Sequence, residues 1–466
     1  MVIHAVSAAK RVRGWSLAPG FVGPGRSSTV VERALRRPSG PRGRMLLGNT
    51  YDYDRDRIGF LRRAQQRYGD VFRFSNDTTV VLHPALIHEL FVRSNQEFFT
   101  ESPVFARRRA AARRLQDAAP ATMTARHKGW PGMNQSVAAA HGARLIRCLD
   151  QVLDRSAGGE IGVLPMMKDF SALAVADFCF GRDHRTPGIA EAVSAAAGAA
   201  ARIMGKSVVP PFWLPLPSVC RVHLTDRRLK SLLGRLLADR RTAAALDRPR
   251  DLVDVLLAPG RQRLSDEAVL RLLEVVLRAS HGVPGATLAW AVYEFARNPG
   301  ALTKVRAEAE PARAAAAGER VVASDLPYTE ALVKELLRAY PPTWLMGRVV
   351  AEPTSLGGWD LRPGEQLMFS PYIVHRDPRW WTDPNDVRPE RWLPAEQPHA
   401  RHAYFPFGAG PRICLGNQLG MLQLTLAIAR LADRYDIDAV NLEDTAMLPD
   451  ALLVPGGLRA CFLRRH

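Results

Sequence analysis

The stretch FPFGAGPRICLG, Phe405 to Gly416, holds the residues best suited to chemistry. Pro406, Gly408, Gly410 and Pro411 fold the chain into a tight loop that ends at Cys414, and Gly416 and an amphipathic helical pattern follow. A thiolate at a helix N-terminus gains from the helix dipole and from backbone N–H groups that lack intrahelical partners, and both lower a cysteine pKa. Such a site suits a metal-ligating thiolate better than a disulfide. The loop alone also allows a buried cysteine beside a turn. The other cysteines, Cys148, Cys179, Cys220 and Cys461, are widely spaced with no CxxC pair. That spacing speaks against a disulfide scaffold and against a zinc site.

Phe407, Gly410, Arg412, Cys414 and Gly416 fill the fixed positions of F-x-x-G-x-R-x-C-x-G. In this the loop resembles the heme-binding signature of the cytochrome P450 family. The resemblance implies heme b, iron protoporphyrin IX, with Cys414 as its axial thiolate, a ligand that favours O–O cleavage. Gly410 and Gly416 would let the backbone pass close to the porphyrin and the sulfur. Arg412 would pair with a heme propionate, as guanidinium suits carboxylates.

Other motifs support the resemblance. Glu335 and Arg338, three apart, share one helix face and are similar to the family's E-x-x-R helix. Arg391, in Pro389-Glu390-Arg391-Trp392, resembles the third member of the Glu–Arg–Arg cluster that locks the cysteine loop to the core. All three are read as structural. Arg348 resembles a second propionate arginine, and Thr343, Trp344 and Leu345 before it would line a substrate pocket. In His127-Lys-Gly-Trp-Pro131 only His127 carries over as a cofactor contact, because Pro131 and Gly132 depart from the family's pattern.

RASHGVPGATLAWAVYEF, Arg278 to Phe295, resembles the family's long helix across the distal heme face, A-G-x-[ED]-T. Aligned on Leu288–Glu294, Gly282 stands where the acid belongs and Val283 where the threonine belongs. In the family that pair holds the water chain that supplies protons, which neither residue here can do. Pro284 lacks an N–H and crowds the carbonyl of Ser280, so a kink is expected there. Ser280 or His281 would replace the missing donors, with Thr287 one turn further on.

These residues need a scaffold. Apolar spacings of three and four predict helices over Arg57–Tyr68, Ala85–Arg93, Ala138–Ser156, Met167–Phe180, Pro187–Met204, Asp226–Ala245, Ser265–Arg297, Pro299–Ala309, Tyr328–Ala339 and Asn417–Tyr435. Strand signals are short, as at Val71–Phe74 and Thr79–Leu82, and no βαβ rhythm or repeat appears. The expected fold is mainly α with small β-sheets, the cytochrome P450 fold by resemblance. Residues 45–466 would form a single heme domain, and residues 1–44 a disordered or loosely attached basic arm.

The 466 residues carry a formal charge of +18, almost wholly from arginine, and 47% are hydrophobic. A basic balance favours acidic partners. No apolar run reaches the roughly 18 residues of a membrane span and no signal peptide is evident, so a cytoplasmic monomer without a membrane anchor is expected. The resemblance implies O2, a hydrophobic substrate such as a terpenoid or polyketide of secondary metabolism, and a separate ferredoxin or flavodoxin with its NAD(P)H reductase. A non-oxygenating or atypical member, using peroxide or catalysing rearrangement, desaturation or coupling, shares every heme motif and remains open. A non-enzymatic heme protein or a nucleic-acid binder is the remote alternative, since no nucleic-acid motif appears and the charge is diffuse.

Overall fold

A proline placed at a helix start costs nothing, because its missing N–H would have no partner there. That rule sets several boundaries in the computed structural model, which describes residues 36–44, 48–99, 127, 135–155, 159–181, 183–204, 210, 213–243, 249–258, 264–315, 323–394 and 398–465. The long helices are α1 (Arg57–Tyr68), α2 (Pro84–Val92), α3 (Gln135–Asp154), α4 (Val163–Phe180) and α5 (Thr186–Met204). They continue with α6 (Pro217–Thr242), α7 (Asp266–Arg297), α8 (Pro299–Ala315), α9 (Pro327–Ala339) and α10 (Asn417–Arg434). Pro217 opens α6 nine residues before the expected Asp226, and Val219 and Val222 bury its first turns. The early turns are rich in polar residues, which hid that periodicity.

Strands β1 (Val71–Ser75), β2 (Thr78–Val81), β3 (Phe98–Phe99), β4 (Met346–Val350) and β5 (Gln366–Phe369) form one sheet in the order β1-β2-β5-β4-β3. The β2–β5 pair is parallel and the others are antiparallel. A three-stranded sheet joins Ile161–Gly162, Arg459–Arg464 and Tyr435–Ala439, and Ala446–Pro449 pairs with Leu453–Gly456 in a hairpin. The architecture is mainly helical with small sheets, as expected.

Helix α7 is unbroken across its 32 residues. Ser265 caps it through its hydroxyl, which accepts the Ala268 N–H at 3.2 Å, and Asp266 and Glu267 complement the dipole. Pro284 therefore removes one hydrogen bond without ending the helix. Gly285 lets α7 approach α4: a methyl there would sit 2.9 Å from the Lys168 Cα and 3.0 Å from its backbone N. Further along, the Trp290 indole stacks on Tyr340 of the neighbouring core at 4.0 Å, with planes 7° apart.

One boundary differs from expectation. Residues 36–44 are attached rather than loose: the Arg36 N–H donates to Asp360 at 2.7 Å, Arg37 pairs with Glu365 at 2.5 Å, and the Arg73 N–H donates to the Ser39 carbonyl at 2.9 Å. Arg37 finds its acid, Glu365, far along the chain, which local composition cannot reveal. The rest of the expected arm, residues 1–35, lies outside the described residues. No helix among the described residues is long and apolar enough to cross a membrane.

Gly285→Ala is expected to destabilise the protein by roughly 1–3 kcal/mol through overpacking, read by denaturant unfolding. A change within about 0.5 kcal/mol, the range of a neutral surface substitution, would show that α4 and α7 do not need this close approach.

Candidate active site

The cysteine loop is built on glycine geometry. Gly408 and Gly410 adopt φ of 68° and 66°, and a methyl at Gly410 would lie 2.2 Å from the Phe91 carbonyl oxygen at the end of α2. The need for glycine at 410 thus comes from α2. Gly416 caps α10 at φ −95°, a conformation open to any residue. The Cys414 N–H donates to the Phe407 carbonyl at 2.9 Å, which closes the loop, and Cys414 lies three residues ahead of α10. Cys414 is exposed, whereas Cys148 and Cys179 are buried. Burial pushes the Cys148 thiol up to about 12 and Cys179 higher still. The structure thus rejects the reading of Cys414 as a buried cysteine beside a turn.

An anion site adjoins the loop. Arg348 is only 4% exposed; it donates to the Ser94 hydroxyl at 3.1 Å and the Gly347 carbonyl at 2.8 Å. Arg412 donates to the Asn95 side-chain oxygen at 2.5 Å. Burial, with the Arg412 charge nearby, lowers Arg348 to about 10. No acid among the described residues forms an ion pair with Arg348. A buried guanidinium facing a second one suits an anionic ligand, and the carboxylates of heme fit that need. Ser94 and Asn95, which hold the two arginines, were missed by sequence reasoning. Their only signal was a polar Arg-Ser-Asn run directly after α2, and Asn95 adopts a left-handed φ of 71°.

Glu335 and Arg338 are fully buried. Arg338 donates to both Glu335 oxygens, at 2.9 and 2.8 Å, and Arg391 adds a third bond at 3.0 Å. The Arg388 backbone N–H and the Trp392 indole complete the set at 2.8 and 2.9 Å. Burial alone would raise the Glu335 carboxyl, but the Arg338 bonds and charge, with Arg388 and Arg391, hold it below the usual range. Arg338 also donates to the His375 carbonyl at 3.0 Å, and the Phe405 N–H at the start of the cysteine loop donates to His375 Nε2 at 3.2 Å. All three members of the expected cluster therefore meet.

The distal candidates separate. His281 is buried, and burial together with the Lys168 charge lowers it to about 4. The neighbouring Gly282 faces the hairpin: a methyl there would sit 2.8 Å from Leu452 Cδ1. Ser280 and Val283 are half-buried and Pro284 is buried. The Thr287 hydroxyl donates to the Val283 carbonyl at 3.2 Å and so serves its own helix.

The hairpin above Gly282 is pinned from both sides. The Trp290 indole donates to the Leu453 carbonyl at 3.1 Å, and the Leu453 N–H to the Pro342 carbonyl at 2.9 Å. Trp344, expected to line a pocket, is 2% exposed and donates its indole N–H to the Asp450 carbonyl at 2.8 Å. It is a core residue that positions the hairpin, because a large ring with one polar tip buries best where that tip finds an acceptor. Thr343 and Leu345 beside it are half-buried. His127 is exposed, and the segment around it lies outside the described residues.

Comparison with known proteins adds the family. The sequence model described as Cytochrome P450 matches residues 38–462. Cyclooctatin synthase of Streptomyces melanosporofaciens is 33% identical over 251 residues, 53% of this chain and 54% of that protein. Cyclooctat-9-en-7-ol 5-monooxygenase of the same organism is 31% identical over 235 residues, 49% of this chain and 50% of that protein. The chain thus spans about half the length of these curated relatives. A retinoic-acid-bound cyanobacterial CYP120A1 superposes with a TM-score of 0.76 at 19% identity, over 93% of this chain and 100% of that one, and shows a shared fold.

Two outcomes are expected. The folded-state pKa of Glu335 lies below its unfolded value, so its contribution to stability is complete above the unfolded value of about 4.3 and is lost as pH falls through the folded one. Acid unfolding followed by circular dichroism should therefore be less steep below about pH 4 in Glu335→Gln; equal slopes would disprove the assignment. Gly282→Glu should destabilise by roughly 1–3 kcal/mol through its clash with Leu452, with Leu452→Ala recovering most of that loss in the double variant. Strictly additive effects would mean that the two positions do not touch.

Proposed function

The chain belongs to the cytochrome P450 family, and on that premise we propose that it is a heme-thiolate monooxygenase of bacterial secondary metabolism acting on an apolar terpenoid. The observation that carries this reading is an exposed Cys414 at the head of α10 with the buried Arg348 and its neighbour Arg412 beside it. When bound, heme supplies O2 activation and transfer of one oxygen atom. Cys414 would ligate the heme iron through its thiolate, Arg348 and Arg412 would hold the propionates, and Ser94 and Asn95 orient those arginines. Trp290 and Trp344 fix the hairpin that closes over Gly282. One relative is named as a monooxygenase of cyclooctat-9-en-7-ol, an apolar alcohol, which supports the terpenoid class. Electrons come singly from a separate ferredoxin or flavodoxin.

Proton delivery takes a different route from the family's acid–threonine pair. Gly282 and Val283 carry no exchangeable side-chain proton, Leu452 lies against Gly282, and the Thr287 hydroxyl bonds within its helix. Burial and the nearby Lys168 charge lower His281 to about 4, so it carries no proton to give as an imidazolium at pH 7. Ser280 remains: it is half-buried, and Pro284 donates no N–H to its carbonyl, so this residue can hold a water. The same observations favour a second reading, in which the protein uses peroxide or catalyses rearrangement, desaturation or coupling.

Reduced holoenzyme under CO is expected to show the red-shifted Soret band of thiolate ligation, and Cys414→Ala to lack it. Folded, heme-loaded protein without that band would refute the proposal. Turnover of terpene alcohols that requires a surrogate ferredoxin system and O2 would support the monooxygenase. Turnover with peroxide alone, or with no oxidant, would select the second reading.

A further inference from the structure

Helix α6 carries an uncompensated charge on its outer face. Its inward side is the apolar row Val219, Val222, Leu229, Leu233, Leu236 and Leu237, all buried. Its two acids are already paired, Asp226 with Arg278 at 2.8 Å and Asp239 with Arg185 at 2.6 Å. Arg221, Arg227, Arg228, Lys230 and Arg235 are exposed, and none has an acidic partner among the described residues. Arg221, Arg228 and Arg235 recur every seven residues, which sets them nearly in line about 10 Å apart along the helix.

The same face is also apolar. Leu224 lies on it between Arg221 and Arg228 and is 65% exposed. Trp213, 77% exposed, and Leu216 stand at the N-terminal end of the helix. A straight row of cations on a convex helix suits a plane, and an exposed indole with leucines suits the boundary between lipid headgroups and chains. An acidic protein or a nucleic acid would answer the cations and leave Trp213, Leu216 and Leu224 in water.

We propose that the outer face of α6 docks this protein on an anionic lipid surface. The Asp226–Arg278 pair ties the opposite, inward side of α6 to α7, two residues before Ser280. The proposal does not depend on which reaction follows.

The test is sedimentation of the holoenzyme with phosphatidylglycerol–phosphatidylcholine vesicles and with phosphatidylcholine alone. Binding is expected only to the anionic vesicles and is expected to weaken with salt. Arg221→Gln, Arg228→Gln and Arg235→Gln together should reduce partitioning by on the order of a hundredfold, while the CO-bound spectrum shows the heme fold intact. Trp213→Ala with Leu224→Ala should weaken binding at unchanged charge. Absence of binding to anionic vesicles, equal binding by the triple glutamine variant, or indifference to the loss of Trp213 and Leu224 would each overturn the proposal. The last result would assign the cations to an acidic protein or a nucleic acid.

Discussion

A carboxylate buried without water must be met by donors on every side, and Glu335 is met by five: two from Arg338 and one each from Arg391, the Arg388 backbone and the Trp392 indole. Removing any partner leaves a charge stranded in a medium that cannot solvate it. Helix α9 therefore cannot be placed independently of the coil that supplies Arg388 to Trp392. Arg338 extends the constraint by donating to the carbonyls of His375, Pro384 and Asp386. Arg391 binds those of Thr382, Asp383 and Asp386. An irregular stretch with little backbone pairing of its own is thus held by two guanidinium groups, and His375 passes that order to Phe405 and the loop that presents Cys414.

The two sides of the site are built by different physics. On the cysteine side, charge and backbone conformation decide: positive φ at Gly408 and Gly410, the buried Arg348 guanidinium with the Arg412 charge nearby, and a helix start behind the sulfur. On the distal side, sterics decide. Gly285 admits the backbone of α4, Gly282 admits Leu452, and Pro284 leaves one carbonyl without its helical donor. The sequence GVPG, which resembles a break, lies within one continuous helix because both glycines answer to close neighbours and packing along α7 carries the chain through.

Much of this was legible beforehand. The mainly helical class, the cysteine loop and the Glu335–Arg338–Arg391 cluster follow from patterns in which spacing or a fixed motif carries the information. Residues whose role is set by a distant neighbour were not legible. Trp344 was expected at a pocket because its segment precedes Arg348, which resembles a propionate arginine, yet its indole is committed to Asp450 far along the chain. Ser94 and Asn95 have no motif at all, and matter only because the sheet brings Arg348 beside them and the loop brings Arg412.

The chain by itself determined which groups are available: one cysteine in a glycine loop, a carboxylate and two arginines, and a long helix with Gly282 and Val283 where the resemblance would place an acid and a threonine. Those are facts of residue type and local spacing, which short-range backbone preferences preserve in any fold. Only the tertiary structure decided that the Lys168 charge comes near His281, that Leu452 lies against Gly282, and that Arg348 is buried near Arg412 with no ion-paired acid among the described residues. Burial, close approach and charge proximity arise between segments far apart in sequence, and they exist only once the chain has packed.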